Sequence, residues 1–236
     1  MPTPLTDHRP GTPLSPDQLG ALCAWPTPAI ANAIETFNVR SRATGFMSQE
    51  IACRFPELGV IAGYAVTAKI RASIPATEDP ETVDREAWVD HILTVPGPRI
   101  VVLQDMDQPP VGSYWGEVNA TRHKALGCLG VITDGGVRDL DEMRGMSFQA
   151  LSKAVLVSHA FVHMVEIGGP VTVGGLTVHT GDLLVADQHG AIHVPHDIAA
   201  EVPAAAKRVE DEEREIIAFY RSPDYRPGAR DGGRYP

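Results

Sequence analysis

The 236-residue chain has three cysteines, Cys23, Cys53 and Cys128. This odd, scattered set excludes a disulfide framework and the close Cys pairs of a structural zinc site. No apolar run approaches the ~20 residues that span a bilayer, and the amino end, MPTPLTDHRPGTPLSP, is polar and Pro-rich, unlike a secretory signal. Positive charge is scarce: 20 Lys and Arg against 30 Asp and Glu leave a net charge of −10. That balance argues against a nucleic-acid groove or an anionic membrane surface as partner, because both want clustered cations. Aromatics make up 6% of the residues, but hydrophobic residues reach 43% and charged ones 21%, which supports a packed globular core. The expectation is a soluble protein of a reducing compartment, the cytoplasm.

Length fits one α/β domain over residues 15–220, with a flexible arm over 1–14 and a tail over 221–236. Ser15, Pro16 and Asp17 read as a helix start, and TPAIANAIETFN carries Ile30, Ala33, Ile34 and Phe37 at helical spacing. Residues 59–70 are rich in β-branched side chains and read as a strand. EDPETVDREAWVDHILTV returns to helical spacing through Val83, Trp88, Ile92 and Leu93. A short buried strand over 99–104 follows, ending in Asp105, then the loop MDQPPVGSYW and a helix in GEVNATRHKAL that Gly127 terminates. CLGVITD is a second strand, GGVRD a turn, and LDEMRGM the start of another helix. This is the βαβ rhythm of an α/β domain. Beyond Lys153, short strand-like runs separated by Gly and Asp predict a β-rich second half, and residues 197–220 a closing helix.

Two segments concentrate chemistry-bearing residues. DGGVRD, from Asp134 to Asp139 and followed by Glu142, lies where an apolar strand ends, the edge at which open α/β sheets place ligands. Gly135 and Gly136 permit a sharp turn. Arg138 offers a bidentate cation, while Asp139 and Glu142 share a helical face and offer the hard oxygens that suit Mg²⁺ or Mn²⁺. The plainer account is a solvated helix start whose acids answer the dipole. In SYWGEVNA, Gly116 opens a helix whose free N–H groups suit a small carboxylate. Tyr114 and Trp115 would shield that site or act as hydrophobic staples, and Glu117 also has a dipole explanation. Both segments flank one helix–strand unit, so their loops can meet. A 2-oxo acid would be held there by its carboxylate and keto oxygens, with metal and Arg138 stabilising an enolate.

GEVNATRHKALGCLGVITDGGVRDLDEM resembles the signature stretch of proteins related to the regulator of ribonuclease E activity A, the RraA-like family. Its enzymatic branch contains 4-hydroxy-4-methyl-2-oxoglutarate / 4-carboxy-4-hydroxy-2-oxoadipate aldolase. TPAIANAIE, GYAVTAKI and VTVGGLTVHTGDLLVADQHGAIHVP extend the resemblance over roughly Leu19 to Pro195. The resemblance implies a layered α/β/β domain with amino-terminal helices and a carboxyl-terminal helix, assembled as a ring-shaped homotrimer or homohexamer. It implies that Asp139 binds a divalent metal, Mg²⁺ or Mn²⁺, and that Arg138 binds substrate. The backbone amides of Gly116, Glu117, Val118 and Asn119 would hold the pyruvate carboxylate. Asp105 and Glu117 would orient the metal's waters, Glu142 is the acid of the aldolase branch, and a neighbouring subunit would lend Glu212 or Glu213. The chain departs from the family at Asn32, where Asp is common, and in a longer loop over 106–114 and a longer tail.

Other residues have simpler readings. His159 and His163 lie four apart in a run that alternates like a strand, so satisfied polar packing is expected over metal ligation. His189 and His193 flank a turn and read as structural. None of Lys69, Lys124, Lys153 and Lys207 has the apolar pocket that a Schiff-base aldolase needs. The expected function is therefore a class II, metal-dependent lyase that releases pyruvate from a 4-hydroxy-2-oxo acid by retro-aldol cleavage, with oxaloacetate decarboxylation as a side activity. One alternative is a metal-dependent lyase, dehydratase or hydratase on a sugar-derived acid. The other is a non-catalytic binding protein like the ribonuclease-regulating branch, which lacks the Arg-Asp pair.

Overall fold

A computed structural model describes residues 11–223, 225 and 226 of the chain. Helix α1 (Pro16–Cys23) opens with a reciprocal cap: Ser15 Oγ accepts from Gln18 N at 3.2 Å, and Gln18 Oε1 accepts from Ser15 N at 2.8 Å. Helix α2 (Thr27–Glu35) has no cap from its own flank. Asp187 supplies one across the fold, accepting from Thr27 N at 2.8 Å and Thr27 Oγ1 at 2.7 Å. The chain continues through β1 (Ala52–Cys53), β2 (Ile61–Arg71), α3 (Arg85–Thr94), β3 (Arg99–Asp105), α4 (Glu117–Ala125), β4 (Cys128–Val137), α5 (Leu140–Gly145) and β5 (Gln149–Val155). The second half is β-rich: β6 (His163–Ile167), β7 (Val171–Val173), β8 (Leu176–Val178), β9 (Leu183–Asp187) and β10 (Gly190–Val194) precede the closing helix α6 (Val202–Arg221).

The main sheet runs β1-β5-β4-β3-β2-β9-β10, and β6 also pairs with β2. Strands β2 to β5 are mutually parallel, with α4 and α5 as the crossovers between β3, β4 and β5. β2 takes two antiparallel partners in tandem, β9 along Ile61–Tyr64 and β6 along Ala68–Arg71. Side chains alternate between two cores, as the period of a strand demands. From β3, Val101 and Leu103 enter the core beneath the helices, with Trp88, Trp115 and Phe148. Ile100 and Val102 enter the other, covered by Val171, Val173 and Val178 of the β7–β8 hairpin. The result is a mixed α/β domain with helices on one face of the sheet and a small β layer on the other.

Four local expectations are corrected. GGVRD is not a turn after a strand ending at Asp134, because β4 runs on through both glycines to Val137. A Cβ on Gly136 would collide with Leu156, and one on Gly135 would sit 2.7 Å from Asp105 Oδ2, so these glycines serve close packing. VLVSHAFVHMVEI is not one strand: β5 ends at Val155 and β6 begins at His163, with a loop between. α3 begins at Arg85, capped by Asp84 Oδ1, because Asp79 and Glu81 upstream are tied to Arg71. The closing helix starts at Val202, after a 3-10 turn over His196–Ile198. Of the arm expected over 1–14, Leu14 is pinned, its N–H donating to Tyr64 Oη at 2.6 Å. Residues 1–10 of that arm, and 224 and 227–236 of the tail, lie outside the described residues.

Candidate active site

β3 ends in Asp105, and the chain makes an eleven-residue excursion (106–116) before α4 begins beside the end of β4. Trp115, fully buried, anchors that excursion: it stacks on Phe148 at 5.4 Å between ring centres and meets His123 edge-on at 4.7 Å. Trp115 bridges to Val137, and its carbonyl accepts from Arg138 N at 3.0 Å. Ser113 Oγ completes the lock, 2.6 Å from the Trp115 carbonyl and 2.7 Å from the Gly136 carbonyl. These bonds set the start of α4 against the residues that follow β4.

Asp139 takes a left-handed backbone, φ 53°, at the N-cap position of α5, yet its carboxylate does not cap that helix. It turns to α4 instead: Oδ2 accepts from Glu117 N at 3.0 Å and lies 3.9 Å from Arg138 Nε. A Cβ on Gly116 would collide with this oxygen, so the approach requires glycine there. The side chains of Arg138 and Asp139 are each 35% exposed and line an open cavity of about 470 Å³ with Gly116, Asn119, Tyr114 and His159. The two chemistry-bearing segments thus meet at the carboxyl ends of parallel strands.

The other candidates are placed unequally. Glu117 and Val118 are exposed on the first turn of α4, and Val118 also lines the cavity. Asn119 folds back, its Nδ2 donating to the Tyr114 carbonyl at 2.6 Å. Glu142 is exposed on α5 and is not part of the cavity wall. Asp105 is 2% exposed and faces the back of Gly135 instead of the cavity. Its Oδ1 accepts from Asp107 N at 2.9 Å, its Oδ2 has no partner, and burial pushes its carboxyl up to about 7. Glu213 Oε1 accepts from Asn32 Nδ2 of its own chain at 3.2 Å, while Glu212 is exposed.

His159 and His163 do not share a face, contrary to the strand reading. His163 is packed as expected for a structural residue, 2.8 Å from Asp79 Oδ2. His159 is exposed, lines the Arg138 cavity, and holds its Nδ1 2.7 Å from the Ala160 carbonyl. The sequence carried no signal for this, because the loop that delivers His159 reads as part of a strand. His189 pairs with Asp187, Oδ1 at 3.2 Å, beside a separate cavity. Each lysine is engaged: Lys69 with Glu166 at 2.6 Å, Lys153 with Glu50 at 3.2 Å, Lys207 with Asp211, and Lys124 with the Met146 carbonyl.

Among the described residues no group of three His, Cys, Asp or Glu side chains converges as a metal cluster. The donor set present is one half-exposed carboxylate facing an open cavity, with room kept by the missing Cβ of Gly116. This fits a hard dication that takes one protein oxygen and keeps most of its waters, and it does not fit a closed structural zinc site.

Comparison with known proteins places these elements in a family. The family model for RraA-like proteins (Aldolase/RraA) matches residues 27–193. A putative 4-hydroxy-4-methyl-2-oxoglutarate aldolase of Halalkalibacterium halodurans is 28% identical over 95 residues, 39% of this chain and 45% of that protein. The uncharacterized protein MJ0644 of Methanocaldococcus jannaschii is 28% identical over 105 residues, 44% of this chain and 50% of that protein. The chain thus spans about half the length of these curated relatives. An uncharacterized protein from Pseudomonas syringae superposes with a TM-score of 0.71 at 25% identity, over 94% of this chain and 96% of the other. Streptomyces coelicolor RraAS2, described as an unusual member of the RNase ES inhibitor RraA family, superposes at 0.65 and 20% identity, over 88% of this chain and 99% of that one, a likeness of fold. The match over residues 27–193 leads to one statement: the chain belongs to the RraA-like family.

Proposed function

We propose that this protein is a divalent-metal-dependent lyase that cleaves the C3–C4 bond of a 4-hydroxy-2-oxo acid and releases pyruvate. The observation that carries the reading is Asp139: a half-exposed carboxylate held against the open start of α4 by Glu117 N, with Arg138 beside it. The aldolase-named relative supports the same reaction class. Asp139 would hold Mg²⁺ or Mn²⁺, with Glu117 near enough in the chain to orient its waters. When bound, the cation supplies positive charge beside the 2-oxo group.

The chain's own residues then divide the work. The hydrogen-bond ladder of α4 starts at Ala120 N, which donates to the Gly116 carbonyl at 2.9 Å, so the amides of Val118 and Asn119 precede it and face a substrate carboxylate. Arg138 directs fixed donors into the same cavity and stabilises the enolate oxygen that develops as the bond breaks. His159 donates from Nδ1 to the Ala160 carbonyl, which leaves Nε2 as an acceptor for the C4 hydroxyl proton. Loss of that proton forms the new carbonyl, the C3–C4 pair moves into the enolate, and reprotonation at C3 gives pyruvate.

The test is pyruvate release from 4-hydroxy-4-methyl-2-oxoglutarate and from oxaloacetate, followed by coupled NADH oxidation. Mg²⁺ or Mn²⁺ should support it, and EDTA or Asp139→Ala should abolish it. Turnover that survives either change defeats the proposal. We also propose that the active form is a trimer or hexamer in which a neighbour's carboxyl-terminal helix reaches the site. Glu212 is the better candidate, because Glu213 is engaged within its own subunit. Light scattering coupled to gel filtration reads the assembly directly.

A further inference from the structure

A second cavity of about 560 Å³ adjoins the first and shares Tyr114, Asn119 and Val162 with it. Its lining combines the apolar Val83 and Met164 with the polar Arg85 and His163. The two polar groups are in different states. His163 is fully committed, with Nδ1 2.8 Å from the Phe161 carbonyl and Nε2 2.8 Å from Asp79 Oδ2. Arg85 is the first residue of α3, and its polar contact among the described residues is Asn119 Oδ1 at 3.4 Å. It has no ion pair with a carboxylate among those residues, although the chain has ten more acids than bases. A cation in the first turn of a helix also opposes the dipole, a position that helices ordinarily give to acids. Asn119 is fixed by its bond to the Tyr114 carbonyl, and its Oδ1 meets the exposed Arg85 guanidinium, so Arg85 and Asn119 line the second cavity together.

We propose that Arg85 selects the distal end of the substrate, and that the second cavity is a subsite for an anionic group carried there. The inference rests on the proposed lyase chemistry only in assigning the 2-oxo acid end to Arg138. Arg138 and Arg85 then read the two ends of one molecule, with Asn119 between them. An open guanidinium fork meeting a carboxylate gives charge-assisted paired hydrogen bonds that a neutral alkyl end cannot.

The test compares two five-carbon probes that differ only at the far end, 2-oxoglutarate and 2-oxopentanoate, by calorimetry on the full-length protein with Mg²⁺. The wild type should prefer 2-oxoglutarate by about tenfold to a hundredfold. Arg85→Ala should bring the two affinities together, Arg85→Lys should keep part of the preference because charge remains without the fork, and Arg85→Glu should reverse it. A wild type that does not bind 2-oxoglutarate or does not discriminate overturns the inference, as does a preference unchanged in Arg85→Ala. The outcomes separate from those of the lyase reading. An Arg85-dependent preference without pyruvate release from any substrate upholds the subsite and defeats the lyase. Pyruvate release with a preference indifferent to Arg85 does the opposite.

Discussion

Asp139 and Asp79 each sit beside an arginine, and their surroundings treat them in opposite ways. Asp79 is 5% exposed and accepts from Arg71 Nη1 at 2.5 Å, His163 Nε2 at 2.8 Å and Glu81 N at 3.0 Å. Both of its oxygens are engaged, and the cluster ties the end of β2, the approach to α3 and the start of β6 into one joint. Asp139 accepts one backbone amide, meets its arginine at 3.9 Å, and keeps a third of its side-chain surface open to a cavity. Coordination left unspent, not the mere presence of a carboxylate and a guanidinium, separates the proposed site from a fastening.

The sharpest way to break this comparison is Gly116→Ala. The added methyl would collide with Asp139 Oδ2 and push it from the Glu117 amide, so pyruvate release should fall about a hundredfold, as misplacement near 1 Å does. The melting temperature should move little, and a variant that keeps full activity would show that this contact is incidental. Asp79→Ala should do the reverse. It should lower the melting temperature by several degrees by leaving Arg71 and His163 without their shared anion, a loss read by differential scanning fluorimetry.

Acid titration separates the joint from the core behind the site. The Glu81 amide, then His163 and Arg71, hold Asp79 down to about 2 from 3.8. A lowered carboxyl stabilises the fold fully above the unfolded value, so its contribution disappears as pH falls from about 4 towards 2. His123 lies behind Trp115 and accepts from Trp88 Nε1 at 2.8 Å, and burial lowers it to about 4 from 6.5. Its neutral form is the one packed, so its contribution weakens earlier, as pH falls from about 6.5 towards 4. Burial raises Asp105 to about 7, which acts with the opposite sign between about pH 4 and 7. The upper window is therefore read as the difference between wild type and His123→Phe in melting curves against pH, and the lower as that between wild type and Asp79→Asn. The smallest effect belongs to Lys207→Ala on α6, whose exposed pair with Asp211 should contribute within about 0.5 kcal/mol in urea unfolding.

The sequence disclosed the scaffold better than the contacts. β3, α4 and β4 were legible because strand and helix periods alternate there with few polar interruptions, and Gly127 closes α4 at φ 77° as its place predicts. Gly135 and Gly136 misled, because a glycine pair marks close approach as well as a turn, and here Asp105 and Leu156 make the approach. Arg138 and Asp139 stood out by type and spacing. The contact of Asp139 with the start of α4 did not, because it depends on a left-handed backbone twenty-three residues after Gly116. His159 and Arg85 were silent for a related reason: each reaches the cleft through a loop or helix boundary that only tertiary bonds define.

The left-handed geometry at position 139 has a consequence for how such a scaffold can change. Asn and Gly occupy that region of backbone space as readily as Asp does. Exchanging the anion for either would keep the bend without new torsional cost while removing the charge. Loss of chemistry at this address is therefore a single conformationally silent step, and the surrounding architecture is free to persist afterwards for other ends.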